Sequence, residues 1–441
     1  MKTKKKFAFI ILAISLATHF VFFGHPNQTV FDEVHFGKFI SGYYTHEYYF
    51  DIHPPLGKLI IAGFSKLFDF RPEFSFANIG EQFPDQKYKA LRFLPSLAGA
   101  LLPVIGFALA SELGLSIWAS LTFGILLALE NALLVQSRFI LLDSFLLLFG
   151  FLSLFHYVRY RKGKGKRELI MMGIFGALSL LVKWTGASFL ALAGLSELVN
   201  VIRHRNYSNL AYKIAAFIVI PFIIYFSVFA VHFTLLTKSG TGDAFMSPEF
   251  QKTLKGNSYG KDAKLKTPNM FQKFIELNKE MYLSNQRLTA THPYGSQWYT
   301  WPLMLRPIYY WVSGDERIYL LGNPIIWWLS TAAFLALVVG IVTKRYRWNY
   351  IIWFLLAGYV LNLLPFIGIK RVMFLYHYLT GLIFAMLALV YIIDQEKKKK
   401  TIFIGLIILS IVTFIYFSPL TYGLSLSSRQ YEQRVWLPSW K

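Results

Sequence analysis

"FLSLFHYVRYRKGKGKRELIMMGIFGALSLL", residues 151–181, holds an apolar run, a short basic tract and a second apolar run. In lipid the backbone finds no water. Apolar segments of about 20 residues therefore form helices that satisfy their own N–H and C=O groups. Lys and Arg collect at the cytoplasmic ends of such helices. The tract 159–168 thus reads as a cytoplasmic loop between two membrane spans.

Outward from this stretch, the whole chain follows the same plan. Its 441 residues are 55% hydrophobic and 15% charged, and the mean hydropathy is +0.45. A soluble domain carries about 25% charged residues, so the chain is built for another solvent. The absence of cysteine excludes a disulfide framework and any thiolate metal site. The net charge of +22 resides largely in short tracts between apolar runs. No basic domain with interleaved aromatics accompanies it, so nucleic acid is not an expected partner.

Spans are expected at about 7–24, 90–110, 115–133, 139–158, 168–182, 184–201, 210–236, 322–343, 348–366, 371–393 and 401–418. The first follows "MKTKKK" and lacks a small-residue cleavage site before His25, so it is read as retained, with the N-terminus cytoplasmic. About 11 transmembrane helices then put "RYRKGKGKRE" (159–168), "RHR" (203–205), "KRYR" (344–347) and "KKKK" (397–400) all on the cytoplasmic side. The expected fold class is all-α integral membrane, one domain over 1–441.

Three segments fall outside: a first outer loop (25–89), a large outer loop (237–321) and a tail (419–441). Within the first, Leu56, Leu59, Ile60, Phe64 and Leu67 have helical spacing with Lys58 and Lys66 between them, which predicts an amphipathic helix at the interface. In the second, "QWYTWPLMLRPIYYW" is expected at headgroup level.

The outer ends of the spans gather Asp32, Glu33, His35, His53, Arg92, Gln136, Arg138, Asp143, Lys183 and Arg371. Ionisable groups at membrane depth cost several kcal/mol and usually face a cavity. A carboxylate takes a proton from a hydroxyl, and a cation steadies a leaving phosphate. The mixture points to transfer of a group from a lipid phosphate to a hydroxyl. Plainer readings exist: a solvated helix start for Asp32 and Glu33, an Arg138–Asp143 helix lock, a snorkelling Arg92. A metal site is not indicated, because His35, His53 and Asp32 lack a ligand spacing.

The chain also resembles the protein O-mannosyltransferases, membrane glycosyltransferases of the GT-C fold. The resemblance rests on "FDEVHFGKF" (31–39), "DIHPPLGKLII" (51–61), "LRFLPSLAGALLP" (91–103), "ENALLVQSRFILLDSFLLLF" (130–149), "VKWTG" (182–186), "SGTGDAFMSPEFQ" (239–251), "HPYGSQWYTWPLMLRP" (292–307) and "YHYLTGL" (376–382), in the family's order. It implies inverting transfer of mannose from polyprenyl-phosphate mannose, dolichyl phosphate being the typical carrier, to Ser or Thr of a translocated protein. It implies Asp32 as base with Glu33 its essential neighbour, and Arg92 near the carrier phosphate. Arg138 and Lys183 are taken as further phosphate ligands; His35, His53, Gln136, Asp143 and His292 as positioning the substrate. No cofactor is obligatory. The expected setting is the plasma (inner) membrane with the active site outside, near the translocon, with a homo- or hetero-dimer open. His19 stands where the family often has arginine, and Gln297 where bacterial relatives often have a basic residue. The large outer loop is too short for the β-trefoil (MIR) domain of eukaryotic members, which implies a prokaryotic type. Alternatives are a lipid or glycan acceptor in the same class, a transporter, and an inactive scaffold.

Overall fold

The structure, a computed structural model, describes residues 2–204, 208–289 and 291–441. Arg205 of the tract 203–205 and Met1 of the basic N-terminus lie outside the described residues. The first half contains α1 (Lys2–Phe20), α2 (Glu33–Thr45), α3 (Leu56–Ser65), α4 (Tyr88–Leu113), α5 (Ile117–Ala128), α6 (Asn131–Ser137), α7 (Asp143–Arg161), α8 (Lys166–Val182) and α9 (Ala187–His204). Then come α10 (Leu210–Ile214) and α11 (Ile220–Leu235), joined by a π-helical turn, and α12 (Pro248–Gln251) and α13 (Met270–Arg287) in the large loop. The chain closes with α14 (Pro324–Val342), α15 (Tyr350–Leu363), α16 (Leu379–Asp394), α17 (Lys399–Tyr422) and α18 (Ser428–Glu432).

Helices occupy every segment expected to span. Among the described residues, seven are long and apolar enough to cross a membrane. An eighth arises if α5 and α6 are taken as one span bent by 55°. The straight span expected over 115–133 is therefore broken. The cause is Glu130, whose carboxylate accepts from Leu133 N at 2.7 Å and from Asn323 N at 2.7 Å. It caps a new helix there and ties it to the start of α14. The span expected over 139–158 begins at Asp143, after an irregular turn.

α7 packs on α4 and α8, and α14 on α16. The span that contains α16 is the most enclosed of the seven. Between α8 and α9 the chain turns within residues 183–186. A side chain at Gly186 would come within 2.4 Å of the Ser179 carbonyl carbon, so the close approach requires glycine.

Two features depart from expectation. Residues 308–313 and 316–320 form an antiparallel hairpin, β1 and β2, so the mostly helical chain has one small sheet. The aromatic stretch around it does not lie as a whole at headgroup level, since Trp301, Tyr310 and Trp311 are buried. In the first outer loop, α3 forms as expected, and Leu67 and Phe68 beyond it are exposed. Lys58 does not sit at the water boundary; it is buried and paired with Asp51.

Candidate active site

A buried ion pair holds the start of the first outer loop. Arg92 on α4 and Glu33 at the start of α2 are both fully buried. Arg92 Nε and Nη2 each donate to the Glu33 carboxylate at 2.7 Å. The remaining guanidinium hydrogens go to the carbonyls of Gly24, Pro26 and Gln28. Glu33 also accepts from Val30 N at 2.8 Å and Ile140 N at 2.9 Å. Every good direction of both groups is used. In this arrangement Arg92 has no donor left for a phosphate, and of the two adjacent carboxylates Glu33 is the one that braces the loop.

Arg138 also points away from the cavity, its two Nη groups committed and its Nε buried without a partner. It donates to the carbonyls of His19, Val21 and Phe22, the end of α1, and its guanidinium lies over the Tyr422 ring. Cations at a helix C-terminus satisfy orphan carbonyls, and this one closes α1. His19 is buried behind it, bonded to the Ser15 carbonyl.

The brace fixes Asp32. Phe31 has φ +46°, a left-handed conformation that costs an aromatic residue energy. It is held there by stacking on Tyr310 (centroids 4.1 Å) and by Phe31 N donating to the Tyr310 carbonyl at 3.1 Å. The hairpin therefore aims the next side chain. Asp32 is partly exposed and caps no helix, and among the described residues no group donates to its carboxylate. Its charged neighbours are Lys183, Asp143, Asp51 and Arg371. Burial is the largest influence and, with the two carboxylates, outweighs the cations, so the Asp32 pKa is pushed up to about 7.

Three of those neighbours, Lys183, Asp143 and Arg371, line a cavity of about 230 Å³ whose wall does not include Asp32 itself. His53, Asp143, Lys183 and Arg371 line its polar part, and Leu146, Leu147, Phe366 and Ile369 contribute to its apolar wall. The polar part is ordered by a relay. Tyr310 donates to Gln136, Gln136 Nε2 donates to Asp143 at 2.6 Å, and Lys183 Nζ donates to both Asp143 oxygens at 2.9 and 2.8 Å. Lys183 also stands over the Tyr376 ring. Arg371 is half-buried and makes no hydrogen bond or ion pair among the described residues. It is a cation with its donors unspent.

His53 enters the cavity wall from a second buried cluster. Its Nδ1 lies 3.0 Å from Asp51, whose other oxygen meets Lys58. Burial pushes the Asp51 carboxyl up, but Lys58 and His53 together outweigh it and hold it below the usual carboxylate range. Burial lowers the His53 pKa, with Asp51 opposing. A neutral ring with Nδ1–H on Asp51 leaves Nε2 as an acceptor. Asp51 was not singled out in the sequence, although its spacing to His53 and Lys58 in "DIHPPLGK" was a usable signal. Two expected positioning residues lie elsewhere. His35 is on an exposed face of α2, and His292 is exposed, packed on Phe374. Among the described residues no group of three or more His, Asp or Glu is arranged to hold a metal.

Residues 9–237 match the family model described as dolichyl-phosphate-mannose-protein mannosyltransferase, and 270–440 match the C-terminal four TMM region of protein-O-mannosyltransferase. Dolichyl-phosphate-mannose–protein mannosyltransferase 4 of Candida albicans is 36% identical over 264 residues, 56% of this chain and 35% of that protein. The enzyme numbered 1 from Saccharomyces cerevisiae is 23% identical over 660 positions, 94% of this chain and 80% of the yeast protein. The chain thus spans about a third of the Candida relative's length. Among solved structures, the S. cerevisiae Pmt1–Pmt2 complex bound to the sugar donor superposes with a TM-score of 0.93 at 22% identity, covering 100% of this chain and 93% of that one. ArnT from Cupriavidus metallidurans superposes at 0.58 with 13% identity, covering 95% and 77%. These likenesses show the GT-C fold. With one family model covering more than half of its residues, the chain belongs to the dolichyl-phosphate-mannose–protein mannosyltransferase family.

Proposed function

We propose that this chain transfers mannose, with inversion, from a polyprenyl-phosphate carrier of the dolichyl type to Ser or Thr hydroxyls of a translocated protein. The observation that carries the reading is the unpaired Asp32 carboxylate, whose charged neighbours Lys183, Asp143 and the uncommitted Arg371 line a cavity with an apolar wall. Asp32 accepts the proton of the acceptor hydroxyl. The freed oxygen attacks the anomeric carbon as the bond to the carrier phosphate breaks, and the electron pair leaves on the phosphate. Lys183 and Arg371 neutralise that charge. Inversion places base and leaving group on opposite faces of the sugar. His53, Gln136 and Asp143 orient the sugar or the cations.

The test is incubation of the protein in nanodiscs with labelled polyprenyl-phosphate mannose and a Ser/Thr peptide. Label on the peptide is expected; label only on lipid or glycan would replace the acceptor with that of the alternative. Arg371→Ala is expected to lower kcat/KM about 10- to 100-fold, chiefly through donor KM, as befits a lost charged hydrogen bond. An unchanged donor KM would remove Arg371 from the phosphate site.

The pH profile has a definite sign. A base with a pKa of about 7 is protonated below it, so kcat/KM falls as pH drops through 7, with unit slope. In Asp32→Glu the midpoint shifts with the new carboxyl. A flat profile from pH 5.5 to 8 would exclude Asp32 as the titrating group.

The proposed setting is the plasma membrane, N-terminus inside and active site outside, with this chain pairing with itself or a paralogue. The yeast neighbour was solved as a two-chain complex. Orientation is testable because the chain has no cysteine. Ser296→Cys is expected to react with an impermeant maleimide in intact cells, and Lys397→Cys only after lysis. The reverse pattern would invert the topology.

A further inference from the structure

At the other end of α16 from the active-site cavity lies a larger groove of about 760 Å³. Leu379 and Thr380 line the cavity and Tyr391 lines the groove, so the helix separates them by about 17 Å at 1.5 Å per residue. The groove is formed by the loops that carry the basic tracts 344–347 and 397–400, which the sequence assigns to the cytoplasmic side. The groove brings together the α14–α15 loop, with Arg345 and Arg347, and the α16–α17 loop, with Lys397 and Lys398. One carboxylate, Glu396, offsets them, and it is paired with Arg345 at 3.3 Å. Arg347, Lys397 and Lys398 have no ion pair or side-chain hydrogen bond among the described residues. Tyr391 is held at the groove floor by Asn349 Nδ2 at 3.0 Å, which ties the start of α15 to the end of α16.

Two apolar faces run away from this basic groove. α14 exposes Leu335, Val338, Val339 and Val342 just before Arg345. α17 exposes Ile402, itself a groove residue, and then Ile404, Ile408, Leu409, Val412 and Ile415. α14 and α17 pack on one another. A polar anion site that opens onto lipid-facing helix surfaces has the shape of an amphiphile. A soluble phosphate would use the first part and not the second. Basic pockets between transmembrane helices suit anionic headgroups, each nearby cation adding attraction.

We infer that this groove binds the headgroup of an anionic phospholipid, whose chains lie along the exposed faces of α14 and α17, and which clamps the two loops together. The inference is independent of the transfer reaction at the other end of α16.

The experiment uses the full chain, stripped of lipid in neutral detergent, with thermal unfolding followed on adding phosphatidylglycerol, phosphatidylcholine of the same chains, or inorganic phosphate. Phosphatidylglycerol is expected to raise the midpoint by several degrees, as a ligand of the folded state does. The other two additions leave it in place. The triple variant Arg347→Gln, Lys397→Gln, Lys398→Gln is expected to bind phosphatidylglycerol at least about tenfold more weakly, with its midpoint in phosphatidylcholine unchanged. A control with Lys261→Gln, Lys264→Gln and Lys266→Gln, in the large loop, keeps the full effect. An equal shift with phosphatidylcholine or with phosphate overturns the inference. So does an undiminished effect in the triple variant, or a loss in the control as large as in the groove variant. If the triple variant does not fold, Arg347→Gln alone is read by native mass spectrometry, where fewer retained phosphatidylglycerol molecules support the site and an equal number sinks it.

Discussion

Asp32→Asn is expected to lower turnover by about 10²- to 10⁴-fold, the usual range for loss of a general base, with donor binding largely kept. Stability should move the other way. The folded-state pKa of Asp32 is raised, so its ionised form is disfavoured by folding. That cost is fully present above pH 7, and it is relieved as pH falls through 7 toward the ordinary carboxylate range. The Asn variant at pH 8 should therefore unfold at the same or a higher temperature than the parent chain. Loss of activity with retained or improved stability marks a group kept for chemistry. A variant that loses both would place Asp32 among the residues that hold the loop. Near-normal turnover would end its candidacy as base.

The neighbouring pair predicts the opposite pattern. Arg92→Ala leaves a buried Glu33 carboxylate without its cation and the carbonyls of Gly24, Pro26 and Gln28 without that donor, and Glu33→Ala leaves a buried guanidinium. Removing one partner of a buried pair costs about 3–5 kcal/mol. Each single variant should lose that much in denaturant unfolding and lose activity with it. The double variant should be less destabilised than the sum, because no charge is stranded. If Arg92→Ala instead unfolds normally and only weakens donor binding, then Arg92 meets the phosphate and the geometry described above is not the working one.

This contrast shows what the sequence discloses. The apolar periodicity and the basic tracts placed the helices, because both arise from local residue type and the two faces of a bilayer. Asp32 was legible as a candidate because an acid beside the end of an apolar run is costly there. That one of the two adjacent carboxylates braces the loop was legible too, because neighbouring side chains point differently; which one does so depends on the oxygens that find partners in Arg92, Val30 and Ile140. Arg92 and Arg138 looked like phosphate ligands for the same reason. A guanidinium in a list of residues is free, and only the folded chain shows it spent on the carbonyls of residues 19–28. Arg371 was noticed as a charge, yet its value lies in having no partner, a property no pattern encodes. The hairpin was missed because five- and six-residue strands rich in Tyr and Trp also read as an interfacial belt.

The site also has an order of assembly. Asp32 leaves the ribosome just after α1, whereas Lys183 follows seven helices later and Arg371 only after α15. The hairpin that holds Phe31 in its left-handed conformation is itself made from residues 308–320. During synthesis the chain therefore inserts most of its length before the candidate site gains Arg371 and the hairpin that aims Asp32.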